Sequence, residues 1–377
     1  MKKALIIASV ASMIEQFNMN NIKLLQNIGY EVDVATNFEN SGTITRTKSI
    51  ELKQKLENIN VNCFEIDFNR SIFSKDNIKA YRQLKEIIDK NNYELIHMHS
   101  PIGGVCGRLA ARKARKRGTK VIYTAHGFHF FKGAPLINWI TFYPIEKYLS
   151  KYTDCLITIN QEDYELAKRK LKTKKIELIH GVGVDESKFN FKMSQENEQQ
   201  LRKSLGLKDD DFVLIQVGEL NKNKNQIMAI NAIKDLIREY PNIHLLLVGI
   251  GKLEDFYKQK IEEYDLSKYV HMLGYRNDVP NLMKISDVLL SLSYREGLPV
   301  NVIEALTSGL PVIATNCRGN RDLVKNGENG YIIEIDDIKS LKERMLEIKN
   351  DKVVLNNFKM SEYSLEKIEN RYMIIYH

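Results

Sequence analysis

The sequence predicts an α/β protein of two doubly wound domains in tandem, facing each other across a cleft. Three observations carry that expectation. The chain has 377 residues, enough for two domains of roughly 100–200 residues each. Short β-branched runs alternate with helix-length amphipathic stretches from the first residues onward, the pattern of a parallel sheet covered on both faces. The alternation lapses once, in a polar stretch over 185–203, and then restarts.

Taken in order, the runs 4–8, 31–36, 62–68, 94–98, 120–124, 155–159 and 176–179 are short and apolar and read as buried strands. Apolar residues recur at helical spacing near 13–28, 76–91, 104–117, 138–150 and 161–171, which read as the helices between them. These elements fill a first domain over 1–190. The polar stretch reads as an inter-domain linker or an edge excursion. Strands over 212–217, 244–248, 270–273, 288–291, 311–315 and 331–334 then alternate with helices near 225–240, 252–264, 278–285, 299–308 and 336–349, giving a second domain over 191–360. The tail 361–377 reads as an amphipathic helix with no strand after it, free to pack back on the first domain.

Composition narrows the function classes. A balance of 43% hydrophobic and 28% charged residues excludes large-scale disorder. The formal net charge of +8 favours anionic partners without choosing among nucleotide phosphate, anionic lipid and nucleic acid. Cysteines 63, 106, 155 and 317 form no CxxC pair, so neither a thiolate metal cage nor a disulfide framework is expected, and the expected location is cytoplasmic. The N-terminal apolar run is too short for a leader, and no run reaches about 18 apolar residues, so a chain neither exported nor integral is expected.

The segment 293–319 holds the densest chemistry. Glu296 sits in a Gly-containing turn after a strand, Pro299 fits the first turn of a helix, and Glu304 follows on that helix. A helix beginning at Pro299 aims free amide groups near Gly297 and Leu298 at a ligand, which makes an anion site. Glu304, about a turn and a half in, is placed to accept paired hydrogen bonds from a diol such as a ribose. Taken alone, each glutamate also reads as a surface residue complementing the helix dipole.

Two glutamates with seven residues between them, Glu296 and Glu304, followed by Gly309-Leu310-Pro311-Val312-Ile313, resemble the retaining glycosyltransferases of family four, which have the GT-B fold of two Rossmann-like domains. The resemblance covers nearly the whole chain. It implies a hexosyl- or N-acetylhexosaminyltransferase that uses a nucleotide-diphosphate sugar, with UDP the expected nucleotide. The implied acceptor is a glycan carried on lipid, in surface or exopolysaccharide synthesis. In the family, a loop after the first strand of the second domain offers an arginine and, five residues on, a lysine to the donor diphosphate. Here that loop opens with Gly218, Lys224 matches the lysine, and Glu219 stands in place of the arginine. An acid there cannot bind phosphate, so either Lys222 or Arg276 supplies a second charge or one cation and the dipole suffice. The resemblance also assigns His126, at a strand end of the first domain, and Glu296 to orienting the transferred sugar.

Competing readings remain. His97, His99, His126 and His129 have ligand-like spacing for zinc, so a metal-dependent hydrolase is the alternative if they converge. That reading leaves the Glu296 segment unused, and no metal or cofactor is expected. A nucleotide-sugar epimerase of the same fold binds the same donor without an acceptor. Arg108, Arg112 and Arg115 recur on one face of a helix stopped by Gly118. They read either as a solvated helix end or as a patch for an anionic membrane or a lipid-diphosphate acceptor. The segment around Trp139 reads either as core or as part of that membrane side, and a non-catalytic membrane adaptor is the third class. No nucleic-acid-binding signature accompanies the basic helix.

Overall fold

The computed structural model describes residues 2–69, 71, 74–350 and 360–377. The chain divides into two compact units, Met1–Val182 with Glu366–His377, and Gly183–Leu365. The first holds β1 (Lys2–Ile7), β2 (Tyr30–Thr36), β3 (Asn62–Glu65), β4 (Leu95–His99), β5 (Lys120–Ala125), β6 (Cys155–Thr158) and β7 (Lys175–Leu178) in a parallel sheet of order β3-β2-β1-β4-β5-β6-β7. The second holds β8 (Phe212–Val217), β9 (Ile243–Val248), β10 (Val270–Gly274), β11 (Val288–Ser291), β12 (Val312–Thr315) and β13 (Gly330–Ile333), in the order β10-β9-β8-β11-β12-β13.

The reason for helices on both faces is visible in β1. Its side chains alternate, so Leu5 and Ile7 enter one apolar cluster while Ala4 and Ile6 enter another, and all four are fully buried. The first cluster is closed by the helices Asp76–Lys90 and Pro101–Ala110, and the second by Met19–Asn27, Arg46–Asn58 and the C-terminal helix Leu365–Tyr376. In both sheets the strand order reverses beside the first strand, between β1 and β4 and between β8 and β11. Open α/β sheets bind ligands outside the strand carboxyl ends at such a switch point.

All thirteen expected strands are present, with ends shifted by up to three residues. The helices depart more. The expected helix over 13–28 is broken at Asn18, whose side-chain amide donates to the Met13 carbonyl at 2.8 Å. The one expected over 104–117 is interrupted at Ala111, giving Pro101–Ala110 and Arg112–Lys116. Arg46–Asn58 is unforeseen because its buried stripe is only Ser49, Leu52 and Leu56; Arg318–Leu323 is a second addition. The polar stretch 185–203 is no plain linker, since it contains Glu186–Phe189 and most of Gln195–Ser204. The residue that the latter helix buries is Arg202, which donates to the carbonyls of Lys208, Asp211 and Ile285 at 3.1, 3.1 and 2.9 Å. A guanidinium satisfied by backbone carbonyls leaves no trace in hydropathy. The expected second-domain end at 360 adjoins residues 351–359, which lie outside the described residues.

Candidate active site

In the second unit, β8 runs into a loop over 218–225 and β11 into a turn over 292–299, the two connections that flank the switch point. They are laced together. The Tyr294 amide donates to the Asn223 carbonyl at 2.9 Å, Asn223 Nδ2 to the Arg295 carbonyl at 3.0 Å, and Asn301 Nδ2 to the Val217 carbonyl at 2.9 Å. Lys224 is held by its own backbone, its amide donating to Asn221 Oδ1 at 3.0 Å and its carbonyl accepting from Gln216 Nε2 at 2.7 Å. With both segments fixed, Lys224 Nζ meets Glu296 Oε1 at 2.6 Å, the side chains 23% and 12% exposed. A cation and a carboxylate thus share a half-sheltered position at the strand ends.

Close backbone approach makes this possible. A Cβ on Gly218 would stand 3.3 Å from Lys224 Cε, so the glycine leaves room for the lysine stem. Gly249, just past β9, has φ +141°, and a Cβ there would fall 2.1 Å from the Gly218 carbonyl oxygen. Gly249→Ala should therefore push the Lys224 loop off its seat, weakening binding of an inorganic pyrophosphate probe at least about tenfold in a calorimetric titration, the scale of one lost charged hydrogen bond. The sequence reading passed over Gly249 and Gly251, although a Gly-x-Gly at a strand end was the available signal.

The helix after the turn starts one residue later than expected. Its range is Val300–Ser308 and Pro299 is its N-cap, with ψ 114°. The amides of Gly297 and Leu298 have no acceptor among the described residues, and Gly319 packs so near that a Cβ on it would lie 2.5 Å from the Gly297 carbonyl oxygen. Arg318, another residue the sequence reading did not pick out, donates from Nε to the Glu296 carbonyl at 3.2 Å. Glu304 lies on this helix, half-buried, and its carboxyl has no hydrogen-bond or ion-pair partner among the described residues. Burial pushes its pKa up to about 7.

That shift has a sign. Between about pH 4.5 and 7 the unfolded chain has released a proton that the folded state still holds, so folding stability falls as pH rises through this window. Glu304→Gln is accordingly expected to unfold at higher temperature than the parent at pH 8, by more than about 1 kcal/mol of stability, and to match it near pH 4. Scanning calorimetry at both pH values checks this.

Arg276, at the end of β10, is not a free cation: its guanidinium forms a fork with Asp278, at 2.7 and 2.5 Å. Lys222 and Glu219 are exposed.

In the first unit one pair of the histidines is hydrogen-bonded, and the others are engaged by different groups. His97 is saturated by Tyr376 Oη at 2.9 Å and Thr124 Oγ1 at 2.8 Å, while His99 Nδ1 and His126 Nε2 lie 3.0 Å apart. His129 stacks on Phe142. Burial lowers the His97 pKa to about 3 and that of His126 to about 4, so both rings are neutral near pH 7. Nitrogens bonded to one another do not converge on an ion, and among the described residues no group of three or more His, Cys, Asp or Glu is arranged to hold a metal.

The basic helix needs a correction. Arg108 is 1% exposed, its guanidinium forked onto Glu146 at 2.8 and 2.8 Å, with Nε donating to the Gly104 carbonyl and its plane over the Tyr123 ring. It is a core ion pair and not part of a surface patch. Arg115 is forked onto Asp154 at 3.0 and 2.9 Å. Of the three, Arg112 alone is exposed, lying over the Tyr152 ring. Helical spacing puts the three on one face of an unbroken helix, but the helix is interrupted at Ala111, and Arg108 and Arg115 each meet a carboxylate distant in the chain, Glu146 and Asp154.

Residues 197–366 match the family described as Glycosyl transferases group 1, and residues 6–160 match Glycosyl transferase 4-like. The chain is 41% identical to EpsD of Bacillus subtilis (strain 168) over 345 residues, covering 91% of this chain and 86% of that protein. It is 34% identical over 312 residues to the UDP-Gal:alpha-D-GlcNAc-diphosphoundecaprenol alpha-1,3-galactosyltransferase of Escherichia coli, covering 81% and 78%. Among solved structures, Anabaena Alr3699/HepE in complex with UDP and glucose superposes with a TM-score of 0.77 at 19% identity, covering 100% of this chain and 99% of that one, which is a likeness of fold.

Proposed function

Since this chain belongs to the glycosyl transferases group 1 family and is a GT-B glycosyltransferase, we propose that it moves a sugar from a UDP-sugar to a hydroxyl of a lipid-linked glycan, with retention at the anomeric carbon, in surface polysaccharide assembly. The observation that carries this reading is the meeting of Lys224 and Glu296 at the switch point of the second sheet, next to the free amides of Gly297 and Leu298. The Escherichia coli relative, named for a UDP donor and a diphosphoundecaprenol acceptor, supports the choice of both partners.

The reaction breaks the bond between the anomeric carbon and the diphosphate oxygen and forms one to the acceptor oxygen. The acceptor proton passes to the leaving phosphate, and UDP departs. Positive charge grows on the sugar and negative charge on the phosphate, as in glycoside cleavage. Lys224 exchanges Glu296 for the phosphate oxygens, the amides at the helix N-terminus share that charge, and the Glu296 carboxylate is released to the sugar hydroxyls. The family resemblance gives His126 a hydroxyl of the same sugar. Glu304 accepts the two ribose hydroxyls, which requires its ionised form. Donor affinity is therefore expected to fall about tenfold per pH unit below 7, the limit for a single required deprotonation, and to lose this dependence in Glu304→Gln.

Incubating the protein with labelled UDP-sugars, alone and with lipid-linked acceptor, tests the reading. Label in the lipid fraction together with released UDP supports it. An isomerised donor formed without acceptor would replace it with an epimerase.

A further inference from the structure

The helix Leu136–Ser150 breaks the ordinary rule for a surface helix. Its inner side packs Trp139, Phe142, Tyr143 and Leu149 on the core. Its outer side is also apolar: Leu136 is 73% exposed, Ile137 63%, Ile140 63% and Tyr148 49%. Three of the four most exposed large hydrophobic side chains in the described residues thus fall within five positions. Contiguous exposed apolar surface of this kind marks an interaction site.

The charges around it are mostly positive. The only acid in the helix, Glu146, points inward to Arg108, so the outer side shows no carboxylate. Exposed Lys147 and Lys151 follow the apolar stripe, the Lys151 ammonium lying over the Tyr148 ring at 3.9 Å. Trp139 also forms a wall of a cavity of about 460 Å³ whose other lining is Leu166, Lys132, Arg169, Lys170 and Glu162, three cations against one carboxylate. An apolar ridge and a cationic hollow that share this helix through Trp139 match an interfacial helix resting on anionic lipid. A second copy of this chain would meet the same cations and be repelled by them.

We propose that this helix is the membrane contact of the protein: Leu136, Ile137 and Ile140 enter the acyl boundary of an anionic bilayer, and the hollow beside Trp139 takes a lipid phosphate. The contact lies on a different helix from the one the basic run 108–117 pointed to. It deepens the reading of a lipid-linked acceptor, and it is testable without catalysis.

The test is co-sedimentation of the full chain with vesicles of phosphatidylcholine containing phosphatidylglycerol, and with phosphatidylcholine alone. The parent is expected to bind the anionic vesicles and release them in high salt. Leu136→Ser/Ile137→Ser/Ile140→Ser is expected to lose at least about tenfold in affinity, as the ridge supplies the insertion. Lys132→Ala/Lys170→Ala should weaken binding and flatten its salt dependence. All replaced groups are exposed or line an open hollow, so unchanged thermal unfolding verifies the fold, and transfer to a water-soluble acceptor should persist. Parent that stays in solution, a triple variant that binds like the parent, or a parent dimer dissolved by the triple variant would each overturn the proposal. Vesicle binding without transfer to any acceptor would uphold this contact and refute the function proposed above.

Discussion

Lys224→Ala is expected to lower turnover by about two to three orders of magnitude, the usual loss when one preorganised charge-stabilising donor is removed from a site where negative charge develops. Two effects act together. On the proposed function the leaving diphosphate would lose its nearest cation, and Glu296, 12% exposed and bonded to Lys224 at 2.6 Å, is left without its partner. A double variant separates them. If Lys224 and Glu296 act as a unit, Lys224→Ala/Glu296→Gln should lose far less than the sum of the two single losses. Steady-state rates of the three variants, each verified as folded, decide this. Turnover of Lys224→Ala within threefold of the parent would remove the lysine from the reaction.

Arg108→Ala should cost about 3–5 kcal/mol of stability, because it leaves a buried carboxylate with no cation. Glu146 sits 7% exposed among apolar side chains, and the guanidinium that neutralises it also binds the Gly104 carbonyl and covers Tyr123. Gly104 belongs to the same arrangement, since a Cβ on it would lie 2.5 Å from Tyr123 Cε2. For a unit of this size the unfolding temperature should drop by about 10 °C. Arg108→Met/Glu146→Leu should recover most of that loss, because burying two apolar groups avoids desolvating two charges. Chemical denaturation of the three proteins tests the account. A single variant within 1 kcal/mol of the parent would mean that Arg108 is a surface cation after all.

The fold was legible because a parallel sheet covered on both faces is written in short, largely apolar runs, and thirteen such runs stand out, the edge strands β3 and β7 being the least apolar. Helices were legible where the buried stripe is apolar, as in Asp76–Lys90 with Ala80, Leu84 and Ile88. They failed where the buried group is polar. Arg202 folds a stretch that reads as linker, and Arg108 is bound by Glu146, 38 residues along the chain, so its burial rests on tertiary contact alone. Candidate site residues were legible as strand-end punctuation with a spacing. What stayed hidden is pairing: that Lys224 is engaged by Glu296, that Arg276 is engaged by Asp278, and that Glu304 is left open. Gly249 and Gly251 escaped because their meaning depends on which backbone passes beside them. The segment Leu136–Ser150 was ambiguous for the opposite reason, since a helix apolar all round reads equally as core or as a membrane side.

The central claim is that a nucleoside diphosphate sits on the loop and helix N-terminus at the switch point of the second sheet. A crystal structure of the complex with UDP tests it most directly. The account predicts pyrophosphate oxygens bonded to Lys224 Nζ and to the amides of Gly297 and Leu298, with both ribose hydroxyls on the Glu304 carboxylate and Lys224 parted from Glu296. UDP bound with Lys224 still paired to Glu296, or ribose held away from Glu304, would contradict it.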